Sequence, residues 1–375
     1  MAGIYVHIPF CKQQCSYCNF HFSTSLRLKE PLLAALKQEM ILRQNELHGQ
    51  PVETIYLGGG TPSLLHAEEL LRLFDTLFEH YTIGALKEVT LEANPDDLSS
   101  AYLKALRATP VNRLSIGVQS FREQDLKYMN RAHTAQQSDY AIKAAQDAGF
   151  ENLSIDLIYG TPGLSDAGWK NNLAQVSALQ IPHLSAYALT VEEKTRLHHD
   201  IRVGKSLPVL PEQAAGQFEI LHQWAHDQGY LHYEISNLAR PGREAMHNTS
   251  YWQGVPYLGF GPSAHSFSGK ERSWNVANNA FYIRALEQKE LPAEREILSD
   301  ADRLNEYIMT SLRTMWGLDL GKVEAVFGAS ERARLLQEAL PFIEKNQLTE
   351  KEGRLVLTEQ GMLFADALAA ALFTG

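Results

Sequence analysis

The chain has 375 residues, 45% of them hydrophobic and 21% charged, with a formal net charge of −10. Such a length and composition suit two or three globular domains or one large α/β barrel, and exclude collagen-like and disordered chains. So acidic a surface repels a phosphate backbone, and no apolar run reaches the roughly 18 residues of a membrane span. The opening residues MAGIYVHIPF lack the basic start and apolar core of a signal peptide. The expectation is a cytoplasmic protein without a nucleic-acid partner.

In chain order, β-type runs at Ile4–Ile8, Thr54–Gly58, Glu88–Ala93, Arg113–Gln119, Asn152–Ile158 and His183–Leu189 alternate with helical patterns. Those patterns fall near Pro31–Leu47, Ala67–His80, Leu98–Arg107, Ala135–Ala148 and Asp166–Leu179. Strand-then-helix repetition implies a parallel sheet. Alternation then selects the architecture. Ile4, Val6 and Ile8 share one face of the first run, Tyr5 and His7 the other. The same split separates Leu91 from Glu92, Val118 from Gln119, and Leu157 from Asp156. A doubly wound sheet, covered on both sides, should be apolar throughout. One apolar and one polar face, with a helix after each strand, predicts an α/β fold of the TIM-like type. It is a partial (β/α)6 barrel, wide enough for a polar ligand inside.

Beyond residue 190 the pattern changes. A segment over 191–299 is expected to extend the barrel and carries a Gly/Pro/His-rich loop from Ala239 to Phe267. Residues 300–375 read as helix, helix, strand, helix, a small winged-helix-like α+β domain. With 8 basic and 12 acidic residues, that tail suits packing against protein better than binding DNA.

The chain has three cysteines, Cys11, Cys15 and Cys18, all in the loop after the first strand. An odd number in one short loop does not make a disulfide framework. Three thiolates could hold three irons of a [4Fe–4S] cluster and leave the fourth open to another ligand. The alternative is a zinc site completed by His7 or His21.

The segment YVHIPFCKQQCSYC, followed by GGGTPS at Gly58–Ser63, resembles the radical S-adenosylmethionine superfamily over essentially the whole chain. Within it, the similarity is to the branch holding oxygen-independent coproporphyrinogen dehydrogenases and HemW heme chaperones. The resemblance implies that Cys11, Cys15 and Cys18 carry the cluster. It also implies that Tyr5, Gly59, Gly60, Thr61, Glu92, Gln119, Arg131 and Asp156 contact adenosylmethionine. Tyr5, Glu92, Gln119 and Asp156 fall on the polar face that alternation alone defines. Glycines let backbone approach a ligand, the carboxylates accept hydrogen bonds, and Arg131 can pair with a carboxylate or with Asp156.

Two features divide the branch. The dehydrogenases carry a fourth cysteine two residues past the third, where this chain has Phe20, and an extension before the motif that Cys11 lies too close to the start to follow. The run HNTSYW matches the HNxxYW motif of the chaperones, which implies heme contact by His247, Asn248, Tyr251 and Trp252 in a loop. His265 is a second candidate. The sequence thus points to a heme chaperone that passes heme to acceptor hemoproteins, with a homodimer left open. A coproporphyrinogen III dehydrogenase and a radical methylase are the alternatives.

Overall fold

A computed structural model describes the whole chain, Met1–Gly375. Strands β1 (Ala2–Ile8), β2 (Val52–Gly59), β3 (Ile83–Ala93), β4 (Arg113–Gln119), β5 (Asn152–Tyr159) and β6 (His183–Ala188) stand side by side in chain order. Each neighbouring pair is parallel. Parallel neighbours require crossovers, supplied by α1 (Lys29–Leu42), α2 (Ala67–His80), α3 (Ser100–Leu106), α4 (Glu123–Tyr128), α5 (Ala135–Asp147) and α6 (Asp166–Ala178).

The helix starts are written locally. Thr134 accepts from the Gln137 N–H while the Gln137 side chain accepts from the Thr134 N–H, a reciprocal cap for α5. Ser99 and Ser165 cap α3 and α6. Helix α1 stops at Leu42, short of the expected Leu47. Its next residue, Arg43, turns inward to donate to Glu39 and the Gly259 carbonyl, and hydrogen-bonded turns follow.

The remaining strands extend both edges. After α7 (Arg196–Arg202) and α8 (Pro211–Gln228), strands β7 (Leu231–Glu234) and β8 (Asn237–Ala239) add antiparallel beyond β6. Following α9 (Met246–Trp252), β9 (Tyr257–Phe260) pairs parallel with β1 on the side away from β2. Strands β10 (His265–Phe267) and β11 (Glu271–Asn275), then α10 (Asn279–Glu287) and β12 (Ala293–Ile297), complete a twelve-stranded sheet. Because β1 bonds to β9 and not to β6, the curved sheet is an incomplete barrel.

Ile4, Val6, Ile8, Leu57, Leu91, Ile116 and Ile155 are buried in one continuous core with the helices. Tyr5, His7, Tyr56, Glu92, Ser115, Asp156 and Ser185 occupy the alternate positions and face the lumen. That core runs from Ala2 to Leu286, so the residues after 190 share it.

A second core spans Leu304 to Leu372. It is built by α11 (Asp300–Leu312), β13 (Leu318–Asp319), α12 (Leu320–Phe327), α13 (Ala329–Glu344) and the hairpin β14 (Leu348–Lys351)–β15 (Arg354–Leu357), with α14 (Glu359–Met362) and α15 (Ala365–Ala371) behind. Helix, strand, two helices and a hairpin make a winged-helix order, with β13, α12 and β14 added to the sequence reading. This unit docks on β7: Ile235 N–H donates to Arg313 O (3.1 Å) and Met315 N–H to Tyr233 O (3.0 Å). Arg313 also pairs with Glu234 (3.1 Å) and Asp366 (2.8 Å).

Trp169 is fully buried on α6 and donates through Nε1 to Gln217 O (2.9 Å), tying α6 to α8. Trp169→Ala removes that bond and leaves a cavity, and should cost about 3–5 kcal/mol, read as a lowered urea midpoint.

Candidate functional site

The site begins where β1 ends. From Phe10 the chain loops out through the cysteines and returns to pair beside it: Ser23 N–H donates to Pro9 O (2.8 Å) and Cys11 N–H to Ser23 O (3.0 Å). Cys11, Cys15 and Cys18 are free thiols, each partly exposed. Burial, then the neighbouring Cys18 and Cys15 charges, pushes the Cys11 thiol up to about 11; burial and Cys15 also raise Cys18.

No three His, Cys, Asp or Glu side chains converge on a point fit for one ion. Spacing around a loop suits a multi-iron cluster, in which each cysteine takes its own iron. Of the two histidines that could complete a zinc site, His7 has both ring nitrogens engaged and His21 one. His7 bonds Tyr5 OH through Nδ1 (3.0 Å) and His21 O through Nε2 (3.0 Å), while His21 Nε2 bonds Asn279 (2.7 Å).

Next to this loop lies the end of β2. Gly60 N–H donates to Ile8 O (2.9 Å), and a Cβ there would sit 2.7 Å from backbone atoms of Ile8 and Phe10. Gly59 adopts φ +104°, and its Cβ would come within 2.4 Å of the His7 ring. Only glycine allows this approach. Thr61 follows, buried, accepting from Asn94 Nδ2 (3.1 Å).

Arg131 reaches under the cysteines. Its guanidinium donates to Cys15 Sγ (3.2 Å), Asn94 Oδ1 (2.6 Å) and Gly117 O (2.9 Å). It does not form the expected pair with Asp156, because Asn94 and the Gly117 carbonyl take up its Nη2. Its buried Nε has no partner within the chain. Asn94, just past β3, connects Thr61 to Arg131. Sequence reasoning passed over it, although a polar residue at a barrel strand's C-terminal end is itself a signal. Gln119 ends β4 at φ +64°, a strained backbone for a residue with a side chain.

Below lie the lumen carboxylates. Glu92 accepts from Tyr56 OH (2.7 Å) and Gly59 N–H (3.1 Å). Burial outweighs those bonds and, with Asp156 nearby, pushes its carboxyl up to about 7. Asp156, accepting from Ser115 (3.4 Å), is pushed up to about 6 by burial. With Arg113 and Asn248 these groups line a cavity of about 50 Å³, room for a few waters. Tyr5 stacks on Tyr56 at 6.1 Å above them.

The HNxxYW residues lie at the opposite end of the strands, and their form corrects the expectation of a loop. They make helix α9, held at its N-terminus by Glu88, which accepts from the N–H groups of Met246 (2.8 Å) and His247 (3.0 Å). His247 is 1% exposed. Nδ1 bonds Thr54 Oγ1 (2.9 Å) and Nε2 bonds Tyr251 OH (2.7 Å), so no ring nitrogen is free. Burial lowers its pKa to about 3. Asn248 faces the lumen, and Trp252 meets the Arg313 guanidinium at 5.5 Å. The helix is therefore a floor that links the lumen to the C-terminal domain. His265, on β10 between β9 and β11, is exposed beside Trp274.

Residues 5–175 match the radical SAM superfamily, and residues 298–364 the HemN C-terminal domain. The heme chaperone HemW of Mycobacterium tuberculosis is 35% identical over 99% of this chain and 94% of its own length. That of Bacillus subtilis is 34% identical over 99% of both. The chain belongs to the HemW family of radical SAM proteins. HemW of Escherichia coli is 33% identical over 98% of the chain and 96% of the relative. The solved structure of the Escherichia coli coproporphyrinogen III oxidase HemN, itself a radical SAM enzyme, superposes with a TM-score of 0.85. It covers 100% of this chain and 90% of that one, at 24% identity, and so establishes the shared fold. This HemW-family chain thus has the α/β partial barrel and small C-terminal domain that its sequence implied. The superfamily implies a [4Fe–4S] cluster and adenosylmethionine.

Two outcomes follow for the site. The raised Glu92 carboxyl binds its proton more tightly in the folded chain, so its contribution is full below the unfolded value near 4.5 and is lost as pH rises through about 7. Glu92→Gln should therefore gain stability relative to the parent chain between pH 5 and pH 8, measured by urea melts at both. Gly60→Ala should cost about 1–3 kcal/mol by overpacking and should lower iron and sulfide content after anaerobic reconstitution.

Proposed function

We propose that this chain is a heme chaperone: it carries a [4Fe–4S] cluster and adenosylmethionine, holds heme, and delivers it to acceptor hemoproteins. The observation that carries the reading is three free thiols set over a polar lumen, in a chain related along its full length to proteins named heme chaperone HemW. A cluster anchored by three sulfurs leaves one iron for the amino and carboxylate groups of adenosylmethionine, and supplies one-electron chemistry there.

The chain's own residues fit that ligand. The partnerless Arg131 Nε is a donor suited to a carboxylate. Gly59, Gly60 and Thr61 bring backbone to the cysteine loop. Glu92 and Asp156, near neutrality, can accept from or donate to ribose hydroxyls or an ammonium. Gln119 and Tyr5 border the same space. Cys11, Cys15 and Cys18, unpaired, suit a reducing cytoplasmic setting, and no helix is long and apolar enough to cross a membrane.

For His247, Asn248, Tyr251 and Trp252 we keep the role of contacting heme, under a condition set by the geometry. Iron reaches a nitrogen of His247 only if its bond to Thr54 or to Tyr251 is given up. Residues 1–190, 191–299 and 300–375 then act as cofactor barrel, heme-contacting extension and docking domain. A homodimer fits this reading, and nucleic acid plays no part in it.

The test is an anaerobic assay with reconstituted protein, reductant and adenosylmethionine, offered heme with an apo-hemoprotein or, separately, coproporphyrinogen III. Stoichiometric heme binding and appearance of holo-hemoprotein are expected. Accumulation of decarboxylated porphyrinogen without heme transfer would contradict the proposal. Heme titration of Thr54→Val, which releases Nδ1 of His247, should show tighter binding than the parent, and His247→Ala weaker. Equal affinities in all three would remove His247 as a ligand.

A further inference from the structure

A carrier must give up its cargo, and His247 is badly placed for that, buried with both ring nitrogens engaged. From its ring an unbroken line of aromatic side chains leads outward. Tyr251 stands edge-on to it, ring centroids 4.8 Å apart, and Tyr257 stands edge-on to Tyr251 at 4.5 Å. Tyr257 on β9 pairs in register with Phe267 on β10, and His265 is two residues from Phe267, on the same strand face. His265 in turn pairs in register with Trp274 on β11, ring centroids 6.2 Å apart. Tyr257 is also the register partner of Gly3, which shares a face with Tyr5. The line therefore continues the lumen side of the sheet past β1.

Its outer half is an open shelf. Tyr257, Phe267 and Trp274 are partly exposed and His265 is exposed. The His265 ring makes no hydrogen bond within the chain and leans on Trp274. Burial and the Arg272 charge hold its pKa below the ordinary value, so the ring is neutral, the form that binds a metal. Burial first, then the charges of His21 and His265, lower the His7 pKa to about 4, which puts His265 within electrostatic reach of the cofactor end. Arg272, the register partner of Phe267, stands at the edge of the shelf. One of its nitrogens meets Glu306 of α11 (2.5 Å), which leaves its other N–H groups for a carboxylate.

We propose that His265 is a heme-iron ligand at the surface of the chain, where heme is taken up and handed over, and that the aromatic line joins it to His247. Successive flat apolar rings suit a porphyrin face, and the free imidazole and Arg272 suit its iron and a propionate. An acceptor's ligand can approach iron held by an exposed imidazole, whereas the buried ring of His247 is screened by its neighbours. In the hand-over the iron exchanges one neutral nitrogen ligand for another, so no electron moves and no proton is released. The inference rests on heme in the proposed function, and not on the cluster.

The experiment mixes full-length protein with hemin in stopped flow, then follows loss of bound heme to excess apomyoglobin at the Soret band. Two variants are compared with the parent: His265→Ala, and His265→Phe, which keeps a ring against Trp274. Both should take up and release heme roughly tenfold more slowly or worse. Added imidazole should restore the rates of His265→Ala, as a merely structural role would not allow. His226→Ala, which removes an exposed histidine away from the aromatic line, should match the parent. Parent rates in both His265 variants, or slow rates that imidazole leaves slow, would overturn the inference while the heme reading stands. Equal slowing in His226→Ala would also count against it. A parent protein that binds no hemin would instead overturn the heme reading, and this inference with it.

Discussion

Everything at the top of this barrel depends on how closely the end of β2 can lie against the end of β1. Gly59 and Gly60 have no Cβ, so the second strand's terminus packs onto Ile8, Phe10 and the His7 ring at distances that any side chain would forbid. That contact fixes where Thr61 sits, and through Asn94 it fixes Arg131. Arg131 in turn holds Cys15. The cysteine loop is thus held both by this chain of short contacts and by its own return pairing through Ser23.

A second constraint is the price of a polar interior. Glu92, Asp156, Arg113 and His247 are held where water is scarce, and each is kept by named partners: Tyr56 and Gly59, Ser115, Asn152, Thr54 and Tyr251. Burial shifts the carboxyls toward neutrality and the imidazole away from its charged form. Such a lumen is poor packing material, since Val and Leu would stabilise it more. It makes physical sense as a surface shaped for a ligand with hydroxyl, ammonium and carboxylate groups.

Much of this was legible in the amino-acid order. Strict alternation in Ile4–Ile8, Glu88–Ala93 and Arg113–Gln119 separates helix-facing from lumen-facing residues, and crossover helices with clear caps make the strands parallel. Other features leave no local trace. Helix α9 carries no apolar periodicity in MHNTSYW; it is helical because Glu88, 158 residues earlier than Met246, caps it. The return of β9 to pair with β1 depends on contacts between residues some 254 apart, Gly3 and Tyr257. Asn94 carries no signal of its partners in the sequence, and only the fold shows it joining Thr61 to Arg131. Likewise the engagement of both His247 nitrogens is a tertiary fact, invisible in a motif.

The central claim is that these three sulfurs, and no fourth side chain, hold a four-iron cluster with one iron left for a ligand from outside. Mössbauer spectra of ⁵⁷Fe-reconstituted protein, recorded with and without adenosylmethionine, address it most directly. The account predicts a [4Fe–4S] signature in which the ligand shifts a single iron site and leaves the other three alone. Four equivalent sites indifferent to the ligand, or iron bound without sulfide, would contradict it.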